Sequence, residues 1–329
     1  MSDNKFIKVK DAGIILEKGK KYILCISPDI PNILPIIKLF ENYNPIFISA
    51  GEHLDIQEND FICLRKEPFF SVKELVEELS HSKTVLNLIE ALRIHQENIW
   101  VKTWCNHKLF QPFFDKPGIK SLGFSPDEAQ WMNNKIFQYE LLKDVVPIAD
   151  FILADKKCCL DQFEKFKTEK GVLTILAFGG AGSGVKIHAT RKDLEEYFEK
   201  IDDEKLILAR IIEKKASPSI DILVANEKEI IVFGLADQIL NGLQCLGATY
   251  PTILDDKTKN QCYELAKTVG SEIAKKGLRG YFSIDIIVDE NNNPFFSEIN
   301  GRYAGTTANR LLAMEQSRPQ NHPSILDLE

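Results

Sequence analysis

Two carboxylates and an amide are closely spaced near the carboxyl end of the sequence, at Asp285, Glu298 and Asn300. Residues 281–288 alternate in the way that is typical of a β-strand, with every second side chain apolar from Phe282 to Val288. The run DENNNP at 289–294 has the composition of a turn, and FFSEIN follows it as a second strand. The stretch therefore predicts a β-hairpin that carries the acids and the amide.

A hairpin whose turn is centred in residues 289–294 places Asp285 opposite Glu298, and Ser283 opposite Asn300. Like charges directly opposite each other destabilise a sheet unless a cation lies between them. One or two carboxylates together with substrate phosphates are the usual ligands of Mg²⁺. The spacing favours a magnesium site, and a solvated hairpin face is the alternative that these residues leave open.

The letters GYFSID at 280–285 and SEINGRYAGT at 297–306 resemble the carboxyl-terminal metal motif of the ATP-grasp ligases. That family couples ATP hydrolysis to the joining of a carboxylate and an amine. By this resemblance Asp285, Glu298 and Asn300 would hold Mg²⁺ on ATP, and Arg302 would stabilise phosphate charge or an acyl phosphate. The resemblance implies ATP and Mg²⁺ as cofactors, and a small-molecule carboxylate and amine as substrates.

A helix is predicted from 126 to about 143, because Ser125 and Glu128 form a capping signature and Pro126 stands at the first helical position. In the family, a lysine on such a helix reaches the ATP phosphates, and here it would be Lys135. A lysine suits this role as a compact charge on a long stem. A solvated lysine on a helix face is the alternative.

The glycine-rich run GGAGSG lies between two apolar segments, VLTILAF and VKIHA. Glycines leave backbone N–H groups free to surround phosphate oxygens, although a flexible hairpin turn would have the same composition. The run resembles the phosphate-covering lid of the family. That role would belong to Gly179, Gly180, Ala181, Gly182, Ser183 and Gly184.

A second phosphate lysine, which many family members carry before this loop, is missing from residues 175–178. Lys186 follows the loop and is the candidate that could replace its charge. Farther on, residues 205–224 resemble the hinge strand that holds adenine through backbone groups. Arg210, Ile211 and Ile212 would form that hinge and Glu213 would be a ribose partner, while Ala209 stands where an acid is common.

The segment 221–240 predicts a further hairpin, which turns at NEKE and ends in Asp237 and Gln238. Together with the letters LGATYP at 246–251, these two residues resemble the peptide-forming branch of the family, in which this region borders the substrate carboxylate. Asp237, Gln238 and Tyr250 are therefore candidate substrate-binding residues.

The predicted fold class is mixed α/β and α+β, an ATP-grasp fold with an N-terminal α/β domain that precedes it. Residues 21–50 indicate a β-α-β unit, and no GxGxxG follows the first strand, so a classical dinucleotide site is not supported. The predicted divisions are an N-terminal domain at 1–120, an ATP-grasp domain at 121–312 with its lid at 149–212, and a tail at 313–329.

Composition limits the class of protein. The chain of 329 residues is 44% hydrophobic and 27% charged, and its formal net charge of -7 argues against a nucleic-acid partner. No run approaches a membrane span or a secretory signal, and seven scattered cysteines indicate free thiols in a reducing compartment. We therefore expect a cytoplasmic protein without a membrane partner, for which a homodimer is one expected assembly.

The expected reaction joins a carboxylate to an amine after the carboxylate has been activated as an acyl phosphate. Two alternatives stay open. One is a non-catalytic nucleotide-binding protein of the same fold, which the missing lysine suggests. The other is an ATP-dependent ligase or kinase with a non-amine acceptor, because the sequence of the acceptor half is not diagnostic.

Overall fold

The structure, a computed structural model, describes residues 6–27, 42–50, 61–67, 69, 71–104, 106–179, 182, 184–303 and 307. These residues fall into two units, one built from the chain up to Gln130 together with residue 307, and the other from 131–306. The division lies later in the chain than the predicted boundary at 120/121. None of the described helices is long and apolar enough to cross a membrane.

The first unit contains a five-stranded parallel sheet in the order β5-β4-β3-β6-β7 and a separate antiparallel ribbon of β1 and β2. The strands are β1 (Phe6–Lys8), β2 (Ile15–Glu17), β3 (Tyr22–Ile26), β4 (Asn44–Ser49), β5 (Phe61–Cys63), β6 (Ile99–Thr103) and β7 (Ile119–Ser121). The parallel pairing of β3 with β4 agrees with the predicted β-α-β unit. The helix predicted between them lies outside the described residues.

Helices cover this sheet and share one hydrophobic core with it. They are α1 (Val72–His81), α2 (Lys83–His95) and α3 (Gln111–Phe114), with a 3₁₀ turn at Lys108–Phe110 before α3. Ser71 and Ser82 cap α1 and α2, because each hydroxyl accepts a hydrogen bond from a backbone N–H of the first helical turn. A serine before an amphipathic run is thus what starts each of these helices.

The single helix predicted from 126 to about 143 is wrong, because the structure has two helices, α4 (Pro126–Met132) and α5 (Lys135–Leu142). The two asparagines between them bond to the backbone instead of continuing the helix. Asn134 caps α5 by accepting from the N–H of Phe137, and Asn133 accepts from the N–H of Gly301 at 2.9 Å. The predicted capping box of Ser125 and Glu128 at the start of α4 is present. Lys135 consequently opens a helix.

The second unit contains a small antiparallel sheet in the order β10-β9-β11-β8. Its strands are β8 (Phe151–Ala154), β9 (Val172–Ile175), β10 (Val185–His188) and β11 (Leu206–Arg210), all within the range 149–212 that was predicted as a lid. Helices α6 (Lys156–Phe166) and α7 (Arg191–Phe198) pack on it around a core that includes Phe163 and Leu208. Thr190 and Asp193 form a complete capping box at the start of α7.

The large sheet of the second unit has the order β12-β16-β13-β14-β15, and β17 pairs with β16. Its strands are β12 (Lys214–Ala216), β13 (Pro218–Asn226), β14 (Glu229–Asn241), β15 (Gln244–Thr249), β16 (Gly280–Asp289) and β17 (Pro294–Asn300). Helix α8 (Asp256–Lys275) packs on β13 and β14, where a methyl group at Gly270 would come within 2.7 Å of the Ile230 side chain. Glycine lets this helix lie close to the sheet.

A buried glutamine ties α5 to β17. The Gln138 amide donates to the Ile299 carbonyl at 2.9 Å and accepts from the Ile299 N–H at 2.8 Å, and its side chain is fully buried. A buried polar side chain is tolerated when its hydrogen bonds are made, and then it fixes the elements that it joins. The start of α5 is thereby held against the strand that carries Glu298.

Gly171, at the start of β9, shows how closely the strands of the small sheet approach. Its φ is +100°, and a methyl group there would lie against the His188 carbonyl oxygen and 2.8 Å from the α-carbon of Ala189. All of these neighbouring atoms belong to the backbone, so no flexible side chain could move away to make room for the methyl group.

We expect Gly171→Ala to lower the free energy of unfolding by about 1–2 kcal/mol for the left-handed backbone and by about 1–3 kcal/mol more for the overlap. Gly277→Ala in the same unit is the matched control, because Gly277 has a φ of +78° and nothing within 4 Å of the added methyl group. Urea unfolding of both variants measures the difference. Equal losses would contradict the close approach at Gly171.

Candidate functional site

The facing carboxylates lie where the sequence predicted them. Asp285 of β16 is directly opposite Glu298 of β17, and Ser283 is opposite Asn300. Nearer the turn the register shifts by one residue, so Ser297 has no partner across the pair and forms a β-bulge beside Glu298. Bulges often occur beside functional sites, where they redirect a side chain.

Two amides hold the Asp285 carboxylate. The Gln238 Nε2 atom donates to Asp285 Oδ1 at 2.9 Å, and the Asn300 Nδ2 atom donates to Asp285 Oδ2 at 3.1 Å. The Asn300 amide oxygen in turn accepts from the Arg302 guanidinium at 3.2 Å. Each carboxylate oxygen thus accepts a hydrogen bond from an amide, which fixes the orientation of the group.

The Lys135 ammonium contacts Glu298 and the glycine-rich segment at the same time. Its Nζ atom lies 3.0 Å from Glu298 Oε1 and donates to the Gly179 carbonyl oxygen at 2.7 Å. The lysine side chain is 4% exposed, whereas the Glu298 side chain is 25% exposed. A cation was expected beside the acid pair because two like charges face each other there. In this structure the cation is the Lys135 ammonium.

Burial raises the pKa of Glu298, and the neighbouring Asp285 raises this pKa further, while Lys135 and Arg302 act in the opposite direction. When folding raises the pKa of a carboxyl group, the folded protein loses stability as the pH rises from the unfolded-state pKa through the folded-state pKa. The acid pair therefore gains from any additional cation placed beside it.

A cavity of about 900 Å³ opens over the acid pair within the second unit. The small sheet, the segment 209–214, the large sheet and the β16–β17 hairpin all contribute to its walls. The structure brings eleven of the predicted site residues together here. They are Lys135, Gly182, Arg210, Ile211, Ile212, Glu213, Gln238, Asp285, Glu298, Asn300 and Arg302.

Other predicted residues are not among the described residues that line this cavity. Lys186 lies 4.7 Å from the centre of the Tyr197 ring, and Tyr250 is exposed. Asp237 is buried and accepts hydrogen bonds from the Thr252 hydroxyl and the Ile253 N–H, so it fixes the chain after β15. Gly179 contributes its carbonyl to Lys135, and Gly184 closes the β9–β10 turn with its carbonyl accepting from the Leu176 N–H at 2.8 Å. Gly180, Ala181 and Ser183 lie outside the described residues.

Several cavity residues have no counterpart in the sequence predictions. Ser219 lies directly opposite Asp285 on β13, a position that its place on a strand could have suggested. Lys170 forms an ion pair with Glu213 at 2.5 Å, with both side chains more than half exposed. Burial and the charge of Lys170 lower the pKa of Lys214 beside them. Further additions include Tyr139, Ser217 and the turn of the β14–β15 hairpin.

The donor set fits a hard divalent cation that is shared with phosphate oxygens. Mg²⁺ takes one or two carboxylates from the protein and completes its shell with water and substrate phosphates. Asp285 and Glu298 would supply the carboxylates, and the Asn300 amide oxygen would supply a neutral ligand. Within the described ranges no group of three or more His, Cys, Asp or Glu residues could hold a metal.

We expect Lys135→Met to lower the free energy of unfolding by about 1–3 kcal/mol at neutral pH, because it leaves the partly buried carboxylates without their ammonium. The cost should shrink below the ordinary Glu pKa of 4.5, where Glu298 is protonated in the folded and unfolded states. Lys170→Met, which breaks the exposed pair, should cost less than about 1 kcal/mol. Denaturant titrations across pH test this, and a cost of Lys135→Met that does not change with pH would contradict it.

Solved structures share this fold at low sequence identity. Biotin carboxylase from Campylobacter jejuni, in a β,γ-ATP complex, has a TM-score of 0.68 and 18% identity, over 87% of this chain and 67% of that one. N5-carboxyaminoimidazole synthetase from Staphylococcus aureus has a TM-score of 0.60 and 15% identity, over 88% and 72%. Phosphoribosylamine–glycine ligase from Thermotoga maritima has a TM-score of 0.60 and 12% identity, over 87% and 70%. No curated protein matches the chain.

A family comparison identifies the part of the chain that carries the site. The family described as "ATP-grasp domain" matches residues 132–306, which is more than half of the 329 residues. This range contains the acid pair, Lys135 and every residue that lines the cavity. The predicted fold class is confirmed, since the mixed α/β chain has the fold of these proteins. The chain belongs to the ATP-grasp family.

Proposed function

We propose that this protein is an ATP-dependent ligase that activates a carboxylate as an acyl phosphate and joins it to an amine. The observation that carries the proposal is the pair of facing carboxylates, Asp285 and Glu298, held at the base of a cavity with Lys135 and Arg302 beside them. Two acids opposite each other destabilise a sheet unless cationic groups beside them compensate their repulsion. Membership of the ATP-grasp family supports the same use.

ATP and Mg²⁺ are the proposed cofactors. When bound, Mg²⁺ supplies charge that neutralises oxygens of the phosphate chain. Asp285, Glu298 and Asn300 would hold the metal, and Gln238 would keep the Asp285 carboxylate in one orientation through the 2.9 Å hydrogen bond described above. Arg302, fixed by its bond to the Asn300 amide, would stabilise negative charge as it develops on the transferred phosphoryl group.

The nucleotide base would occupy the apolar part of the cavity. Backbone groups of Ile211 and Ile212 would contact the adenine edge, because this recognition needs peptide N–H and C=O groups and no particular side chain. The Lys170–Glu213 ion pair would lie at the ribose, where a carboxylate can accept hydroxyl hydrogens. Apolar side chains around this region are Leu173, Ile175, Ala209, Ile287 and Phe296.

The reaction would proceed in two steps. A carboxylate oxygen of the first substrate attacks the γ-phosphorus while the bond to the β,γ-bridging oxygen breaks, which releases ADP and leaves an acyl phosphate. The amine nitrogen of the second substrate then attacks the carbonyl carbon, phosphate departs with the C–O bond electrons, and the nitrogen loses a proton. Activation is needed because a carboxylate itself has only oxide as a leaving group.

Lys135 would take part by exchanging partners. The sequence predicted a phosphate lysine, and the ammonium instead pairs with Glu298 at 3.0 Å. A phosphate chain bound with Mg²⁺ would supply anionic oxygens near this lysine, and the metal would then compensate the negative charge of Glu298. The lysine side chain is long enough for such an exchange without movement of α5.

A non-catalytic nucleotide-binding protein is the second candidate. The observation in its favour is the position of Lys186, which lies over the Tyr197 ring and is not among the described residues that line the cavity. The predicted cytoplasmic location and homodimer remain predictions.

We expect Mg-ATP at about a hundred times its Kd to stabilise the protein by about 2.7 kcal/mol, and EDTA to remove most of this gain. Glu298→Gln should abolish the difference between ATP with Mg²⁺ and ATP with EDTA, because the amide lacks the charge that a hard cation requires. Glu213→Gln, which changes an acid of the same cavity that pairs with Lys170, should preserve that difference. Thermal unfolding measures all three proteins. If Glu298→Gln keeps the parent's magnesium dependence, the acid pair is not the metal site.

The ligase activity is tested by ADP formation from Mg-ATP in the presence of pooled carboxylates and pooled amines, with mass detection of the joined product. We expect ADP formation that needs both pools and a product equal in mass to the sum of one member of each, less water. Glu298→Gln should lower the rate by at least about a hundredfold. Nucleotide binding without any such product would favour the non-catalytic candidate.

A further inference from the structure

One wall of the cavity is apolar and carries no charge. It is formed by the β14–β15 hairpin, in which none of the residues 238–254 is charged, although 27% of the whole chain is. Leu240, Leu243 and Leu246 all line the cavity there, together with Cys245 and Ala248. We call these five residues the hairpin wall.

Leu246 owes its position to a β-bulge. The pairing of β14 with β15 shifts between Ile239, which is opposite Gly247, and Leu240, which is opposite Cys245. Leu246 is thus the extra residue, and it is 62% exposed while it lines the cavity. A single exposed leucine is ordinary, but a leucine placed by a bulge at the edge of a cavity, beside two others, indicates a surface that receives an apolar group.

The hairpin wall lies beside Gly182 of the glycine-rich run. A methyl group on Gly182 would come within 2.7 Å of the Leu243 carbonyl oxygen, so this glycine lies directly against the turn of the hairpin. If the glycine-rich segment covers the phosphates, the group beside the hairpin wall is next to the γ-phosphoryl group. The substrate that meets that phosphoryl group first is the carboxylate.

We propose that the carboxylate substrate carries an uncharged, apolar side chain that packs on Leu240, Leu243 and Leu246. This rests on the proposed ligase function and names its acyl donor. The wall offers no counter-charge, so a charged side chain would lose its hydration there without gaining a partner. Gln238, the polar side chain that lines the cavity next to the wall, is already engaged, since its amide donates to Asp285 and accepts from the Ser217 hydroxyl at 3.4 Å. Among the cations that line the cavity, Arg302, which bonds to Asn300 beside the acid pair, would hold the substrate carboxylate.

The test compares carboxylates of matched length for ADP formation and product mass, with Mg-ATP and, as acceptors, ammonia and a mixture of the amides of uncharged amino acids, which carry an amine but no free carboxylate. Hexanoate is compared with adipate, and leucine with glutamate. We expect kcat/KM for the apolar member of each pair to be higher by about tenfold or more. A preference for the charged members would overturn the inference and leave the ligase function intact. If no carboxylate promotes ADP formation, the ligase function fails, and the inference fails with it.

Variants of the hairpin wall test whether Leu246 itself contacts the substrate. Leu246→Gln should lower kcat/KM for the apolar carboxylate by about tenfold to a hundredfold, while Leu246→Met, which keeps an apolar chain of similar volume, should stay within about threefold of the parent. Ile253→Gln is the matched control, because Ile253 is 75% exposed in the same uncharged stretch and does not line the cavity. A Leu246→Gln variant that behaves like Ile253→Gln would show that the hairpin wall does not contact the substrate.

Discussion

The second unit depends on one electrostatic constraint, which is that two carboxylates face each other on neighbouring strands. Asp285 and Glu298 cannot move apart without disrupting the pairing of β16 and β17. Burial and the charge of Asp285 both disfavour the charged form of Glu298, as the raised pKa of Glu298 shows. Amides from Gln238 and Asn300 and the ammonium of Lys135 offset this cost. The surrounding polar groups are therefore needed for the fold as well as for any chemistry.

The hairpin and its register could be predicted from the sequence, because alternation and a short turn determine which residues face each other. The break between α4 and α5 was missed because the capping ability of Asn133 and Asn134 was outweighed by the surrounding helical pattern. The contact of Lys135 with Glu298 joins residues far apart in the chain, and no local pattern reports it. Lys186 lies between Val185 and Ile187 on β10, and because both neighbours line the cavity, strand alternation places Lys186 on the opposite face, over the Tyr197 ring.

The apolar wall escaped prediction for a different reason. The letters LGATYP and the residues before them made Asp237, Gln238 and Tyr250 the substrate-binding candidates, and no pattern in the sequence singled out the leucines. Only the pairing of β14 with β15 reveals that a bulge removes Leu246 from the core pattern and places it at the cavity. Bulges insert one residue without a strong compositional signal, so the face that a side chain occupies beyond a bulge is hard to infer from alternation alone.

The segment around α5 also protects an edge of the large sheet. β17 pairs with β16 on one side, and its other side bonds to the peptide-like amide of Gln138, to the carbonyl of Pro147 and, just beyond the strand, to the side chain of Asn133. A strand edge that is covered in this way cannot recruit a strand from another molecule. Loosening α5 would therefore displace Lys135 and would also expose the backbone hydrogen-bonding groups along the edge of β17. Damage to the site would then be accompanied by self-association of the protein.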